Sequence, residues 1–166
     1  MTIRCEIASQ DRLVFEGDVD IVVLPGTDGE MGILPHHAPL LTTLNMGVIK
    51  VRMGGQEEIF TVTGGLAEVQ PEIVTILATA AENIDEIDIA RAEAAKARAL
   101  ELLEQGPPAE DLDRYLAIEA ALRRSNLRLE ATRKYRSGRS RLPQREEPRG
   151  CLLYTSPSPR DRTRSR

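Results

Sequence analysis

The stretch LPGTDGEMGILPHHAPLLTTL, residues 24–44, decides the fold of the first half of this chain. It holds three glycines, three prolines and both histidines of the protein, and runs rich in β-branched residues lie on either side of it. Pro35 and Pro39 fix their own φ angles and disfavour a helical backbone at the residues that precede them. The stretch therefore predicts short extended segments, joined by tight corners, inside an all-β region.

Short strands are predicted on both sides of this stretch. Residues 2–8 alternate apolar and polar side chains, which is typical of a half-buried strand. Gly17 is expected to separate two of the strands that follow, and Gly64 with Gly65 to mark a later corner or bulge. Further strands are predicted at residues 13–15, 19–24, 47–53, 57–62, 66–69 and 73–78. Many short strands with closely spaced turns favour a sandwich or a flattened barrel of about eight to ten strands.

The composition changes after residue 84 to one rich in Ala, Leu, Glu and Arg, which favours helices. Asp85 is expected to cap the first helix, with Asp88 at its third position, and the helix is expected to continue to about residue 104. Glu110 or Asp111 is expected to open a second helix after a Gly-Pro-Pro break, with an end near residue 135. The short connection predicts an antiparallel hairpin. Its apolar stripe is broken, so we expect it to be weakly anchored and able to detach.

These patterns predict an α+β chain in which an N-terminal antiparallel β-sandwich precedes a C-terminal antiparallel two-helix hairpin. We predict a β-sandwich domain at residues 1–84, a helical hairpin domain at residues 85–137 and a disordered basic tail at residues 138–166. The last sixteen residues, CLLYTSPSPRDRTRSR, resemble translated sequencing-adapter read-through and are interpreted as non-native, with a genuine basic tail as the alternative.

Composition and spacing also exclude several classes of function. Residues 139–166 carry eight arginines and three acidic residues, so the remainder of the chain is acidic and unsuited to binding nucleic acid. The sequence has no apolar run long enough to span a membrane and no secretory leader, which predicts an intracellular protein.

Cys5 and Cys151 lack metal-ligand spacing and are expected to be reduced. His36 and His37 are adjacent and would point to opposite faces, so no metal site is predicted. Neither a nucleophile motif nor a phosphate-binding loop is present, and an enzyme is not favoured.

One set of charged residues stands out on the predicted hairpin. Asp88, Arg91 and Arg98 lie on the first helix, and Arg124 and Arg128 lie four residues apart on the second. If the hairpin folds back antiparallel, several guanidinium groups and one carboxylate would come close together. The alternative is a solvated, charged helix surface, which is what such patterns usually indicate.

Three segments together resemble the epsilon subunit of the F-type ATP synthase. They are DGEMGILPHHAPLL at residues 28–41, VTGGLAEV at residues 62–69 and IDIARA at residues 87–92. The resemblance implies a non-catalytic rotor subunit that connects the gamma subunit to the c-ring of a proton-translocating enzyme. It also implies a peripheral membrane protein, held through the complex at the cytoplasmic face of the cell membrane. The hairpin is then expected to fold against the sandwich or to extend toward the alpha and beta subunits and inhibit ATP hydrolysis.

The resemblance further implies two sets of site residues. The surface that meets the c-ring and gamma would comprise Glu30, Met31, Gly32, Ile33, Leu34, His37, Ala38, Pro39, Leu40 and Leu41. Some bacterial members bind ATP on the folded hairpin through an I/L-D-x-x-R-A motif and arginines of the second helix. The matching residues here are Glu82, Ile87, Asp88, Arg91, Ala92, Arg98, Arg124 and Arg128.

Regulatory ATP is therefore the only cofactor implied by the resemblance, and no metal is implied. Two other functions remain open from the sequence. The first is a stand-alone ATP-binding sensor module, which the arginine set suggests. The second is a metal-dependent hydrolase built on the two histidines.

Overall fold

The computed structural model describes residues 1–106 and 112–136. The described residues form eight strands: β1 (Ile3–Ala8), β2 (Leu13–Val19), β3 (Ile21–Gly26), β4 (Gly29–Ile33), β5 (Leu40–Met53), β6 (Gln56–Val69), β7 (Ile73–Ala78) and β8 (Ala81–Asn83). They are followed by two helices and a π-helical turn: α1 (Ile89–Glu104), α2 (Leu112–Ala131) and the turn Thr132–Arg136. The predicted α+β class, with a β-sandwich followed by a helical pair, is confirmed.

The sandwich is built around β5 and β6, which are 14 residues each and pair antiparallel along their whole length. The second half of β6 pairs with β7, which pairs parallel with β1, and β1 pairs with β2. The first half of β6 pairs with β8, while β5 pairs with β3 and β3 with β4. The two halves close on each other, and the rings of Phe15 and Phe60 meet across the core with their centroids 5.5 Å apart.

Cys5 lies in this core and is fully buried. Burial raises the pKa of the Cys5 thiol to about 12, so the group stays protonated at neutral pH. A protonated, buried thiol packs as a small apolar side chain and is unreactive. The second cysteine, Cys151, lies outside the described residues.

Two glycines at predicted irregularities lie inside strands. The prediction that Gly17 separates two strands was wrong, and the predicted corner or bulge at Gly64 and Gly65 lies within the continuous strand β6. Gly17 is part of β2 and is paired with Cys5. A Cβ at position 17 would lie 3.2 Å from Cζ of Phe15, so the glycine makes room for the ring. Gly65 lies inside β6, with φ +150°, where a Cβ would lie 2.3 Å from the carbonyl oxygen of Leu77. It therefore lets β7 approach closely at the point where the partner of β6 changes from β8 to β7.

The start of α1 also differs from the prediction. Its N-cap is Asp88, whose Oδ1 accepts a hydrogen bond from the backbone N–H of Arg91 at 3.1 Å. The backbone N–H of Asp85 instead donates to Oδ1 of Asn83 at 3.0 Å, which holds residue 85 in a turn before the helix. The predicted end of α1 at residue 104 is confirmed. Glu110, Asp111 and the predicted tail at residues 138–166 lie outside the described residues.

The stretch at residues 24–44 is extended, as predicted, and forms the β3–β4 hairpin, a tight turn and the start of β5. In the turn the backbone N–H of His37 donates to the carbonyl of Leu34 at 3.2 Å, with Pro35 and His36 at the two central positions. His36 has φ +63°, a conformation that a turn of this type normally gives to glycine. Its backbone N–H donates to the carbonyl of Pro71 at 2.9 Å, which fixes the turn against the β6–β7 connection.

Replacing His36 with glycine should stabilise the protein, because glycine adopts positive φ without steric cost. We expect His36→Gly to raise the free energy of unfolding by about 0.5–1 kcal/mol in urea titrations. His37→Gly is the matched control and should lower it, because His37 has an ordinary φ and its Nδ1 lies 2.7 Å from the carbonyl oxygen of Ala38. A lower stability for His36→Gly would contradict the strain assigned to this turn.

Candidate functional site

The helical pair is attached to the sandwich mainly through the end of α2. Ile59, Ile84, Ile87 and Ala131 form a buried apolar cluster, against which Val48 and Tyr135 pack. We call these six residues the docking cluster. The cluster joins β5 and β6 to the end of α2 and is separate from the core of the sandwich.

Away from the docking cluster the helices are only lightly buried. The buried residues of α1 are Ala92 and Ala99, and those of α2 are Ser125 and Ala131. Near the start of α2, by contrast, Leu112 is 69% exposed. The small buried side chains allow the helices to approach closely but contribute little apolar area. The hairpin therefore has one principal point of attachment.

Two arginines of the α2 region strengthen this attachment with charged hydrogen bonds. Arg128 donates from Nε and Nη2 to the two carboxylate oxygens of Glu82 in β8, with both distances 2.6 Å. The pair is about one-third exposed, and its bidentate geometry makes it stronger than an ordinary surface ion pair. Arg136 donates to the carbonyls of Ile84 and Asp85 at 2.6 and 2.7 Å. Sequence reasoning missed Arg136, because no local pattern indicates a side chain that binds distant carbonyls.

A cleft of about 470 Å³ lies where the sandwich, the link before α1 and the two helices meet. We call it the arginine cleft. Its lining residues are Arg12, Glu82, Glu86, Ile87, Asp88, Arg91, Ala92, Ala95, Arg98 and Arg128. Seven of the eight residues predicted to bind ATP therefore lie together. The eighth, Arg124, lines a separate small recess beside Thr61 and Thr63, which shares Glu82 and Arg128 with the cleft.

The cations of the cleft are not all neutralised by its carboxylates. Glu82 pairs with Arg128, and the Asp88 side chain caps α1. Within residues 1–106 and 112–136, no carboxylate forms an ion pair with Arg91 or Arg98. Planar guanidinium groups bind phosphate oxygens well, so the cleft has the chemistry to hold an anion with several charges.

The residues predicted to contact the c-ring and gamma have different exposures in the structure. Glu30, Gly32, Leu34, Ala38, Pro39 and Leu41 are exposed, while Met31, His37 and Leu40 are half-buried. Ile33 is 1% exposed and belongs to the sandwich core, because side chains alternate along β4. The inclusion of Ile33 in a contact surface was therefore wrong. Leu41 is 65% exposed and borders a shallow groove with Val69 and Pro71.

Glu30 is connected to the docking cluster through Lys50 of β5. The Lys50 Nζ lies 3.1 Å from a carboxylate oxygen of Glu30 and 5.8 Å from the ring centroid of Tyr135. Burial lowers the pKa of Lys50, but its interactions with Glu30 and Tyr135 raise it, and the net pKa lies above the usual value. The Lys50 ammonium group thus interacts both with the β3–β4 hairpin and with the turn that follows α2.

No helix within the described residues is long and apolar enough to cross a membrane. Across residues 1–106 and 112–136, no group of three or more His, Cys, Asp or Glu side chains could hold a metal ion.

The ion pair between Glu82 and Arg128 should contribute measurably to docking of α2. We expect a double-mutant cycle with Glu82→Gln and Arg128→Gln to give a coupling energy of about 1–2 kcal/mol, measured by hydrogen exchange of α2 amides. The control cycle uses Glu119 and Arg123, an i,i+4 pair on the same helix that joins no other element. Its coupling should be about 0.3–0.5 kcal/mol. Equal coupling in the two cycles would show that Arg128 does not hold the hairpin.

Comparison with known proteins identifies the family. A family model described as the beta-sandwich domain of the ATP synthase delta/epsilon chain matches residues 2–84, and one described as its long alpha-helix domain matches residues 85–133. The ATP synthase epsilon chain of Dehalococcoides mccartyi strain BAV1 is 44% identical over 140 residues, which cover 81% of this chain and 94% of that protein. The epsilon chain of Pelotomaculum thermopropionicum is 52% identical over 102 residues, covering 61% and 76%.

Solved structures share the fold. A chain in the cryo-EM structure of the Euglena gracilis mitochondrial ATP synthase, OSCP/F1/c-ring, has a TM-score of 0.58 and 23% identity, with 82% of this chain and 81% of that chain covered. A chain in the central stalk/c-ring structure of the Tetrahymena thermophila mitochondrial ATP synthase has a TM-score of 0.51 and 14% identity, covering 80% and 97%. With both parts of its sequence matched by the family models, this chain belongs to the delta/epsilon chain family of the ATP synthase.

Proposed function

We propose that this chain is a non-catalytic subunit of the central stalk of an F-type ATP synthase, where it links the gamma subunit to the c-ring. The observation that carries the proposal is the match of both family models, in order, to residues 2–84 and 85–133. A relative that aligns with this chain over 94% of its own length is named ATP synthase epsilon chain. A chain of similar fold belongs to a central stalk/c-ring structure. Membership of this family disfavours a stand-alone sensor.

The exposed part of the stretch at residues 24–44 supplies the contact surfaces in this proposal. Glu30, Gly32 and Leu34 are exposed at the β3–β4 hairpin and the turn after it, and they face the c-ring. Ala38 is exposed just before β5, and Leu41 is exposed beside the groove at the start of that strand. In this proposal both residues bind gamma. Leu41 and the groove beside it form a contiguous apolar surface, and such surfaces often mark a contact with another protein. The protein then lies at the cytoplasmic face of the cell membrane, held there through the complex.

The helical hairpin acts as the inhibitory element in this proposal. When it detaches from the sandwich it extends toward the alpha and beta subunits and inhibits ATP hydrolysis. The small docking cluster and a single bidentate ion pair support this, because an element held by few contacts opens at low free-energy cost. The docked state described here is the one in which inhibition is relieved.

Binding to gamma should depend on the exposed leucine at the start of β5. We expect Leu41→Asp to weaken co-elution with a matching gamma subunit in size-exclusion chromatography by at least about tenfold in apparent affinity, because it places a charge in an apolar contact. Leu112→Asp is the matched control: Leu112 is 69% exposed, against 65% for Leu41, but lies at the start of α2.

The control should bind gamma as the unchanged protein does. If the unchanged protein does not co-elute with gamma, the stalk proposal fails. If Leu41→Asp still binds normally, the contact surface is elsewhere.

A second role, regulatory ATP binding in the arginine cleft, rests on its unneutralised cations. Arg91 and Arg98 lack carboxylate partners among the described residues, and an anion with several charges would satisfy them. Bound ATP would stabilise the docked hairpin, because the cleft exists only when the link before α1 and both helices are in place. ATP would thus favour the state without inhibition.

Arg98 should matter more for ATP binding than Arg124. We expect Arg98→Ala to weaken ATP binding by about tenfold or more in calorimetry, because it removes a charged contact inside the cleft. Arg124→Ala should weaken it by less than about threefold, because Arg124 faces the adjacent recess. The reverse order would contradict the assignment of the cleft. No heat at millimolar ATP with the unchanged protein would exclude the nucleotide site and leave the stalk role intact.

A further inference from the structure

Arg12 is a residue of the arginine cleft that comes from the sandwich. It lies between β1 and β2, in a turn where the backbone N–H of Ser9 donates to the carbonyl of Arg12 at 2.9 Å. The Ser9 hydroxyl lies 3.3 Å from the backbone nitrogen of Arg12 and accepts its hydrogen bond. The backbone of Arg12 is therefore fixed, while its side chain reaches the cleft.

The present partner of Arg12 is held weakly. Its Nη2 donates to Oε2 of Glu86 at 2.7 Å, and the two side chains are 55% and 59% exposed. Ion pairs this exposed contribute little, since water already solvates both charges. The pair between Arg128 and Glu82 differs, because it is bidentate and only about one-third exposed. A ligand can thus replace Glu86 as the partner of Arg12 at a small cost in free energy, while the ion pair between Arg128 and Glu82 stays intact.

We propose that Arg12 binds phosphate groups of the nucleotide in the arginine cleft, so that the ligand contacts the sandwich as well as the hairpin. The proposal rests on the ATP site proposed above and adds a residue and a mechanism to it. Glu86 competes with the ligand for Arg12 and acts as an internal mimic of the phosphate. On binding, Arg12 exchanges one anionic partner for another, and Glu86 turns to solvent.

In this arrangement the bound nucleotide contacts both the sandwich and the hairpin, so its binding directly favours the docked state. Arg91 and Arg98 belong to α1, whereas Arg12 belongs to the sandwich. An anion bound between them bridges two elements that separate when the hairpin detaches. Its binding energy from Arg12 is available only in the docked state, which is the differential affinity that a ligand needs to shift a conformational equilibrium.

The test is a double-mutant cycle with Arg12→Gln and Glu86→Gln, followed by calorimetry with ATP on the full chain. We expect Arg12→Gln to weaken ATP binding by about tenfold, which is the loss of one charged hydrogen bond. Glu86→Gln should tighten binding when Arg12 is present, because it frees the guanidinium group. In the Arg12→Gln background the gain from Glu86→Gln should be smaller by at least about threefold.

Arg52→Gln is the matched control. Arg52 is 56% exposed and pairs with Glu57 at 2.8 Å, but it does not line the cleft. It should leave ATP affinity unchanged, and the melting temperatures of the two arginine variants should agree. ATP binding that is unaffected by Arg12→Gln, or a gain from Glu86→Gln that is equal in both backgrounds, would overturn the role of Arg12 while leaving the ATP site. No ATP binding by the unchanged protein would overturn both.

Discussion

The bidentate ion pair between Arg128 of α2 and Glu82 of β8 is the interaction on which the arrangement of the two parts depends. It lies beside the docking cluster, and Arg136 binds the carbonyls just after β8. These contacts all involve the last turns of α2 and residues near the end of the sandwich. The rest of the hairpin contributes mainly small buried side chains. Loss of this one region would free both helices without disturbing the sandwich core.

The proposed contact surface and the helical hairpin are connected through one side chain. Lys50 lies between Glu30, at the β3–β4 hairpin, and Tyr135, at the end of α2. Its ammonium group has a raised pKa and therefore stays charged throughout the physiological range. A partner that engages Glu30 would change the electrostatic environment of Tyr135 and, through it, of the docking cluster. Lys50 thus gives a short physical connection from the proposed contact surface to the helical hairpin.

Sequence patterns predicted the fold well because most of its determinants are local. The period-two alternation identified β1, and the prolines at positions 35 and 39 excluded a helix where the turn is found. Errors arose where one particular side-chain contact, rather than a repeating pattern, decided the outcome. Gly17 stays within β2, where it pairs with Cys5, and its missing side chain leaves room for the Phe15 ring. Asp88 caps α1 in place of Asp85 because Asn83 binds the backbone N–H of residue 85.

The sequence indicated most of the residues of the arginine cleft, but not all of them. Of the eight residues that the family resemblance implied, seven lie together in one cleft. Arg12 was not predictable, because it lies 74 residues from Glu86 and no helical or strand period connects them. Arg124 lies one helical turn before Arg128 in α2. This displacement along the helix places Arg124 against the adjacent recess.

The most direct test of the central claim is ATP hydrolysis by the assembled synthase with the Glu82 and Arg128 charges exchanged. If their ion pair holds the hairpin away from the catalytic subunits, Arg128→Glu should lower hydrolysis, because like charges would then repel the hairpin from the sandwich. Adding Glu82→Arg to that variant should restore hydrolysis toward the unchanged level, because the attraction returns. Hydrolysis that is unchanged in Arg128→Glu, or that is not restored by the exchange, would contradict the account.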